Sequence, residues 1–93
     1  MVTIRVAENA DADLVEAYQK LTPQLSSSSP APTKDELAAI IKSDSATVLV
    51  AEDESGTILG SMTLVVFRIP TGVRAWIEDV VVDTEARGMG IGQ

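Results

Sequence analysis

The chain has 93 residues, the size of one small domain, and 45% of them are hydrophobic, as in a globular protein. Fourteen acidic residues against seven basic ones give a formal net charge of -7, which argues against nucleic acid or an anionic membrane as a partner and favours a cationic one. Cysteine and histidine are both absent, so the composition excludes disulfides, thiolate nucleophiles and the commonest metal ligands.

The residue pattern in the first quarter of the sequence predicts a strand followed by a helix. Residues 3–7 alternate polar and apolar side chains, a pattern typical of a short strand. Asp11 and Asp13 offer cap oxygens for a helix N-terminus. The apolar residues that follow at helical spacing are Leu14, Ala17, Tyr18 and Leu21. Because proline disfavours helical backbone in the residue before it, we expect this helix to end near Thr22 and Pro23.

A polar loop and a second helix come next. Residues 26–32 contain four serines and two prolines, which predicts a mobile loop that could serve as a lid over a site. Thr33, followed three residues later by Glu36, predicts a capping box at the start of a helix. The apolar face of this helix is Leu37, Ala38, Ile40 and Ile41, and we expect it to end near Ser43.

The second half of the chain predicts three strands joined by tight turns. The strands are expected over residues 46–51, 57–69 and 73–83. Gly60 marks a bulge or a close approach of two backbones, and the run from Val80 to Val82 predicts burial on both faces. The elements together predict an α+β fold of order β-α-α-β-β-β, with a mostly antiparallel sheet, in a single domain over residues 1–93.

A glycine-rich segment, Arg-Gly-Met-Gly-Ile-Gly at residues 87–92, follows the last predicted strand. Glycines uncover consecutive main-chain N–H groups and Arg87 adds a positive charge, so the segment predicts a loop that binds a pyrophosphate. A Walker P-loop would need a lysine near its end, and no lysine follows Lys42. A Rossmann fingerprint would need Gly-x-Gly-x-x-Gly after the first strand, whereas the spacing here is Gly-x-Gly-x-Gly after a hairpin. Because such a loop is an unusual place for a domain to stop, we expect the 93 residues to be the N-terminal portion of a longer protein.

The stretch from Ile77 to Gly92 resembles the fourth strand and the Arg/Gln-x-x-Gly-x-Gly/Ala loop of the GNAT superfamily of acyl-CoA-dependent N-acyltransferases. Arg87, Gly90 and Gly92 occupy the defining positions of that loop, and the predicted element order resembles the N-terminal half of the fold. The resemblance implies acetyl-CoA as the acyl-donor cosubstrate. It also implies that the cofactor-binding residues are Val80, Val81, Val82, Arg87, Gly88, Met89, Gly90, Ile91 and Gly92. In this scheme the loop holds the pyrophosphate, and the main chain of the valines pairs with the pantetheine arm.

The resemblance also implies that part of the catalytic machinery is missing from the 93 residues. The tyrosine that often protonates the leaving thiolate in the family belongs to the later half of the domain. Tyr18, the single tyrosine here, lies in the first predicted helix and is not assigned that role. We therefore expect the chain by itself to be inactive.

Glu78 is the candidate catalytic base. Strand alternation predicts one face with Trp76, Glu78, Val80 and Val82, and an opposite face with Ile77, Asp79, Val81 and Asp83. A carboxylate desolvated beside Trp76 could take a proton from an ammonium nucleophile. The alternative is a solvated carboxylate paired with Arg68 or Arg74 across the hairpin. Asp79, on the other predicted face, is expected to be structural.

The leading hypothesis is an N-acyltransferase that moves an acetyl or other short acyl group from coenzyme A to a small-molecule primary amine, without a metal. Two alternatives stay open: a non-catalytic acyl-CoA-binding or regulatory module, and a structural segment that associates with itself. The exposed last strand predicts a homodimer or strand exchange. No apolar signal core or membrane-length apolar run is present, so we expect a cytoplasmic protein that binds neither membrane nor nucleic acid.

Overall fold

Over residues 2–84, which the structure describes, a computed structural model has two helices and one four-stranded sheet. The elements in chain order are β1 (Thr3–Val6), α1 (Ala12–Leu25), α2 (Lys34–Lys42), β2 (Ala46–Glu52), β3 (Ile58–Ile69) and β4 (Gly72–Val82). All neighbouring strands pair antiparallel, and their order in the sheet is β1-β2-β3-β4. The predicted α+β class and the order β-α-α-β-β-β are therefore confirmed.

α1 continues past the point where the sequence predicts its end. Asp11 caps the helix, since its side chain accepts the Leu14 N–H at 2.9 Å. Pro23 lies in the last turn, where a missing N–H removes only one helical hydrogen bond. The Ser26 N–H then donates to the Thr22 carbonyl at 2.9 Å and closes the helix after Leu25. The predicted end near Thr22 and Pro23 is wrong because the buried Leu21 and Thr22 hold this turn against the sheet.

Local hydrogen bonds define α2 and the turn between β2 and β3 as predicted. The Thr33 N–H donates to Glu36 Oε1 at 2.9 Å, and the Glu36 N–H donates to Thr33 Oγ1 at 3.1 Å, which confirms the capping box. In the turn, Asp53 Oδ1 accepts the Ser55 hydroxyl at 2.8 Å and the Thr57 N–H at 3.0 Å. These hydrogen bonds, led by the Ser55 hydroxyl, hold the pKa of Asp53 below its usual value.

Both helices contribute to a core on one face of the sheet. α1 contacts β3 and β4, and α2 contacts β2. The register sets Val50 opposite Ser61 and Ser61 opposite Val81, so these three residues share the core face. The buried cluster is Ala7, Leu14, Leu21, Leu37, Val48, Val50, Ile58 and Val81. By the same register, the other face of the sheet exposes Ile4, Val6, Val66, Val73 and Ile77.

A β-bulge interrupts β4 and changes the orientation of the residues that follow it. Thr63 lies opposite Glu78 and Ser61 lies opposite Val81, so two residues, Asp79 and Val80, face the single Met62. Asp79 has a φ of 53°, a left-handed value that glycine usually adopts in such bulges.

The bulge overturns the predicted alternation along the last strand. Because Ser61 and Thr63 are two residues apart on β3, their partners Val81 and Glu78 share a face, and Val82 lies on the opposite one. The prediction that Glu78, Val80 and Val82 form one face is therefore wrong. So is the predicted burial of the whole valine run: Val81 is buried, but Val80 is 52% exposed within the bulge of the sheet's last described strand.

Gly60 is needed where β3 and β4 come together. A Cβ atom at this position would lie 2.9 Å from the Val81 carbonyl oxygen, which confirms the predicted close approach of two backbones. We expect Gly60→Ala to lower the free energy of unfolding by about 1–3 kcal/mol, because backbone rather than a flexible side chain must move. Urea denaturation measures this change.

Gly56→Asn is the matched control for Gly60→Ala. A Cβ at residue 56 would meet nothing within 4 Å, and asparagine tolerates the left-handed φ of 86° found there. A Gly60→Ala variant as stable as this control would contradict the close approach.

Candidate functional site

A cleft of about 410 Å³ lies between α1, α2 and the β4 bulge, and we call it the α1–α2 cleft. Leu37 and Val48 are part of its lining and are almost fully buried. Leu25 and Ile40 also line it, but they are 40% and 37% exposed. The cleft thus offers apolar surface that is open to solvent and could contact a ligand.

The serine- and proline-rich segment between the helices lies beside this cleft. Ser26, Ser29, Pro30 and Pro32 all contribute to the lining. The Ser26 hydroxyl donates to Ser29 Oγ at 3.1 Å, so the polar groups of the segment partly satisfy one another. The segment has the position expected of the predicted lid; its movement stays a prediction.

Tyr18 carries a phenolic hydroxyl from α1 into the same cleft. The residue shares the helical face of Leu14 and Leu21, and its hydroxyl forms a hydrogen bond with the Ser61 hydroxyl on β3. Burial raises the pKa of Tyr18, and the charge of Asp79 adds to this effect, while the Ser61 hydrogen bond offsets part of it. The hydroxyl is therefore protonated at neutral pH and can donate a hydrogen bond.

Asp79 is the single charged residue among the described residues that line the cleft. The sequence predicts it on the face opposite Glu78, with a structural role. The bulge instead places it in the cleft lining with Tyr18 and Thr63. A non-glycine residue with left-handed φ costs conformational energy, and such residues are concentrated at functional sites.

Glu78 has a different environment from its neighbour. Its carboxylate accepts a hydrogen bond from the Trp76 indole N–H, so the predicted proximity of these two side chains is confirmed. The predicted desolvation is wrong, because Trp76 is 57% exposed and Glu78 is exposed too. Across residues 2–84, no ion pair joins Glu78 to Arg68 or Arg74, as the alternative interpretation would require.

Two polar contacts fix the end of β4 to α1. Lys20 Nζ lies 2.8 Å from Asp83 Oδ2, and the Asp83 side chain is only 5% exposed. Gln24 Oε1 accepts both the N–H and the hydroxyl of Thr84 at 2.7 Å. α1 therefore sets the position from which the chain continues toward the predicted pyrophosphate loop. The residues of that loop, namely Arg87, Gly88, Met89, Gly90, Ile91 and Gly92, lie outside the described residues.

Residues 2–84 contain no group of three or more acidic side chains arranged to hold a metal ion. Neither helix in this part of the chain is long and apolar enough to cross a membrane.

Comparisons by sequence and by structure both find acetyltransferases. A sequence model described as the acetyltransferase (GNAT) family matches residues 13–93. An acetyltransferase from Trypanosoma brucei is 29% identical with a TM-score of 0.75, and the match covers 99% of this chain and 67% of that one. No curated protein matches at a significant level.

Two further solved structures support the fold. An aminoglycoside acetyltransferase from an uncultured soil metagenomic sample, in complex with sisomicin, has a TM-score of 0.80 at 23% identity, with 98% of this chain and 62% of that chain covered. A GNAT family acetyltransferase from Staphylococcus aureus has a TM-score of 0.80 at 20% identity, with 98% and 69% covered. The 93 residues thus span 62–69% of the length of these three structures.

Tyr18 gives a direct test of the cleft because it is the single tyrosine of the chain. We expect its absorbance titration midpoint to lie above the usual value near 10. Asp79→Asn should lower the midpoint, because it removes a nearby negative charge, whereas Glu78→Gln should leave it unchanged. Because the pKa of Tyr18 is higher in the folded state, the unfolded state loses the phenolic proton first. The free energy of unfolding should therefore decrease as pH rises above about 10. Equal midpoints in the two variants would contradict the placement of Asp79.

Proposed function

The chain belongs to the acetyltransferase (GNAT) family, and we propose that it serves the transfer of an acyl group from acetyl-CoA to a primary amine of a small molecule. The observation that carries the proposal is the β4 bulge at Asp79 and Val80, which borders the α1–α2 cleft. A bulge takes main-chain groups out of the regular ladder, so they can contact a ligand instead. A free N–H at such a place can polarise a thioester carbonyl.

The proposed acetyl-CoA site continues from the bulge along the end of β4. Val80, Val81 and Val82 would pair through their main chain with the pantetheine arm, as a further strand pairs with the edge of a sheet. β4 is the last strand of the described sheet, which supports this arrangement. Arg87 and the glycine-rich residues up to Gly92 would then bind the pyrophosphate through main-chain N–H groups and the guanidinium.

The proposed amine site is the α1–α2 cleft. Once the ammonium has lost a proton, the amine nitrogen attacks the thioester carbonyl carbon directly, so that a C–N bond forms and the C–S bond breaks. Coenzyme A leaves as a thiolate and takes up the second proton that the nitrogen releases. Glu78 is the proposed base, which takes the proton that the ammonium must lose, directly or through water. Its support is an exposed carboxylate oriented by the Trp76 indole and adjacent to the bulge. Solved neighbours include aminoglycoside acetyltransferases, which is consistent with a small-molecule acceptor.

Titration calorimetry with acetyl-CoA tests the donor site. We expect the protein to bind acetyl-CoA and Arg87→Ala to weaken binding about tenfold or more, because a charge-assisted contact to phosphate is lost. Arg5→Ala is the control for loss of one positive charge. Arg5 pairs with Glu52 and lies on β1, at the opposite end of the strand order from β4. Wild-type protein that binds no acetyl-CoA would overturn the proposal.

Measurements of turnover by the full-length protein test whether Glu78 acts as the catalytic base. Glu78→Gln should keep the acetyl-CoA affinity and lower kcat for acetyl transfer by about 10²–10⁴-fold, the usual contribution of a general base. The reaction rate is measured from the free thiol of the coenzyme A that is released. Binding of acetyl-CoA without turnover of any primary amine by the wild-type protein would instead favour a non-catalytic acyl-CoA-binding module.

We also propose that two copies of the chain associate through β4 and the apolar face that the helices leave uncovered. Val73 and Ile77 on this face are 52% and 54% exposed, and they lie on the last strand of the described sheet. Large exposed apolar patches on soluble proteins mark association surfaces, and an edge strand can pair with a second copy.

Sedimentation of the 93-residue chain tests the association. We expect dimers at concentrations of about 100 µM, and Ile77→Lys should shift the population toward monomer because a charge would be desolvated in the contact. Ser28→Lys, in the exposed segment between the helices, is the control and should leave the dimer intact. A wild-type chain that remains monomeric would contradict the proposal.

A further inference from the structure

The lining of the α1–α2 cleft combines one negative charge with a mostly apolar wall. Asp79 is the single charged residue among its described lining residues. Leu25 and Ile40 keep more than a third of their surface exposed beside the cleft. Pro30 and Pro32 of the loop between the helices add rigid apolar surface. One carboxylate and several hydroxyl groups beside open apolar side chains restrict which amines fit the cleft.

We propose that the cleft selects a primary monoamine with an apolar body, whose ammonium group contacts the Asp79 carboxylate and whose body packs against Leu25 and Ile40. This inference rests on the proposed function, because it names the class of acceptor for the same site. It makes Asp79 a residue that binds and orients the amine, distinct from the proposed base Glu78.

The charge distribution supports a single ammonium group. Asp79 can neutralise one positive charge, and no other carboxylate belongs to the described lining. A second ammonium held against Leu25, Ile40 and the prolines would lose water without gaining a counter-ion, which is unfavourable. The cleft therefore discriminates against polycationic amines even though the net charge of -7 attracts cations in general.

Hydroxyl groups line the cleft together with Asp79. Tyr18 and Thr63 line the cleft with Asp79, and the Tyr18 hydroxyl is protonated at neutral pH. An ammonium donates three hydrogen bonds, so one carboxylate and neighbouring hydroxyl oxygens match it in number and in type. The apolar and the polar residues of the lining thus match the two parts of an amphipathic monoamine.

Calorimetric titration with three probes tests the proposal on the protein. The probes are 2-phenylethylamine, its neutral analogue 2-phenylethanol, and 1,4-diaminobutane, which has two charges and no apolar end. We expect 2-phenylethylamine to bind at least tenfold more tightly than either of the others. Asp79→Asn should weaken its binding about tenfold to a hundredfold, as for loss of a charged hydrogen-bond partner.

We expect the substituted proteins to fold as the wild type does. Asparagine tolerates the left-handed φ of residue 79 as well as aspartate does, and Asp44→Asn, at an exposed position outside the cleft lining, is the control that removes one negative charge. We expect Asp44→Asn to bind 2-phenylethylamine as the wild type does. Tighter binding of 1,4-diaminobutane, equal binding of 2-phenylethanol, or equal effects of the two substitutions would each overturn the proposal.

Acetyl-CoA titrated into the same proteins separates this inference from the proposed function. Asp79→Asn should retain the wild-type affinity for acetyl-CoA, because the amine and the coenzyme occupy different sites in the proposal. If acetyl-CoA binds and 2-phenylethylamine does not, the choice of acceptor class is wrong while the proposed function stands. If acetyl-CoA does not bind at all, the proposed function fails, and with it the inference that rests on it.

Discussion

The pairing of β3 with β4 is the constraint on which the rest of the site depends. At Gly60 the two backbones lie too close for any side chain, and two residues further along β3, at Met62, the bulge gives β4 one residue more than β3. The first feature fixes how near the strands lie, and the second fixes which residues of β4 face the helices. Val81 is buried in the core, and Asp79 lines the cleft, only because both features are present.

α1 combines the roles of core element and site scaffold. Leu14 and Leu21 anchor it to the sheet, while three polar side chains along the helix contact β3 and the end of β4: Tyr18, Lys20 and Gln24. Because these contacts are spread over two turns, the helix cannot rotate without breaking several of them. The wall of the cleft and the exit of the chain from β4 are thereby held in one fixed relation.

The sequence was sufficient to predict what depends on local patterns. The capping box at Thr33, the tight turn between β2 and β3 and the order of the elements follow from short-range spacing, and each is confirmed. The bulge could not be predicted, because Asp79 stands where a glycine would have signalled it, and the error carried over to every residue placed by alternation after Glu78. The end of α1 was misplaced for a related reason: tertiary burial of Leu21 and Thr22 outweighs the local effect of Pro23.

The bulge also explains how two adjacent carboxylates can take different roles. In a regular strand, residue 79 would lie directly opposite Met62, on the same face as Ile77 and Leu64, which is the side of the sheet that the helices leave uncovered. The extra residue instead places Asp79 in the cleft lining with Tyr18 and Thr63, while Glu78 accepts a hydrogen bond from the Trp76 indole. The bulge thus requires a left-handed backbone at Asp79, which costs conformational energy, and it leaves the charge of Asp79 available to a cation in the cleft.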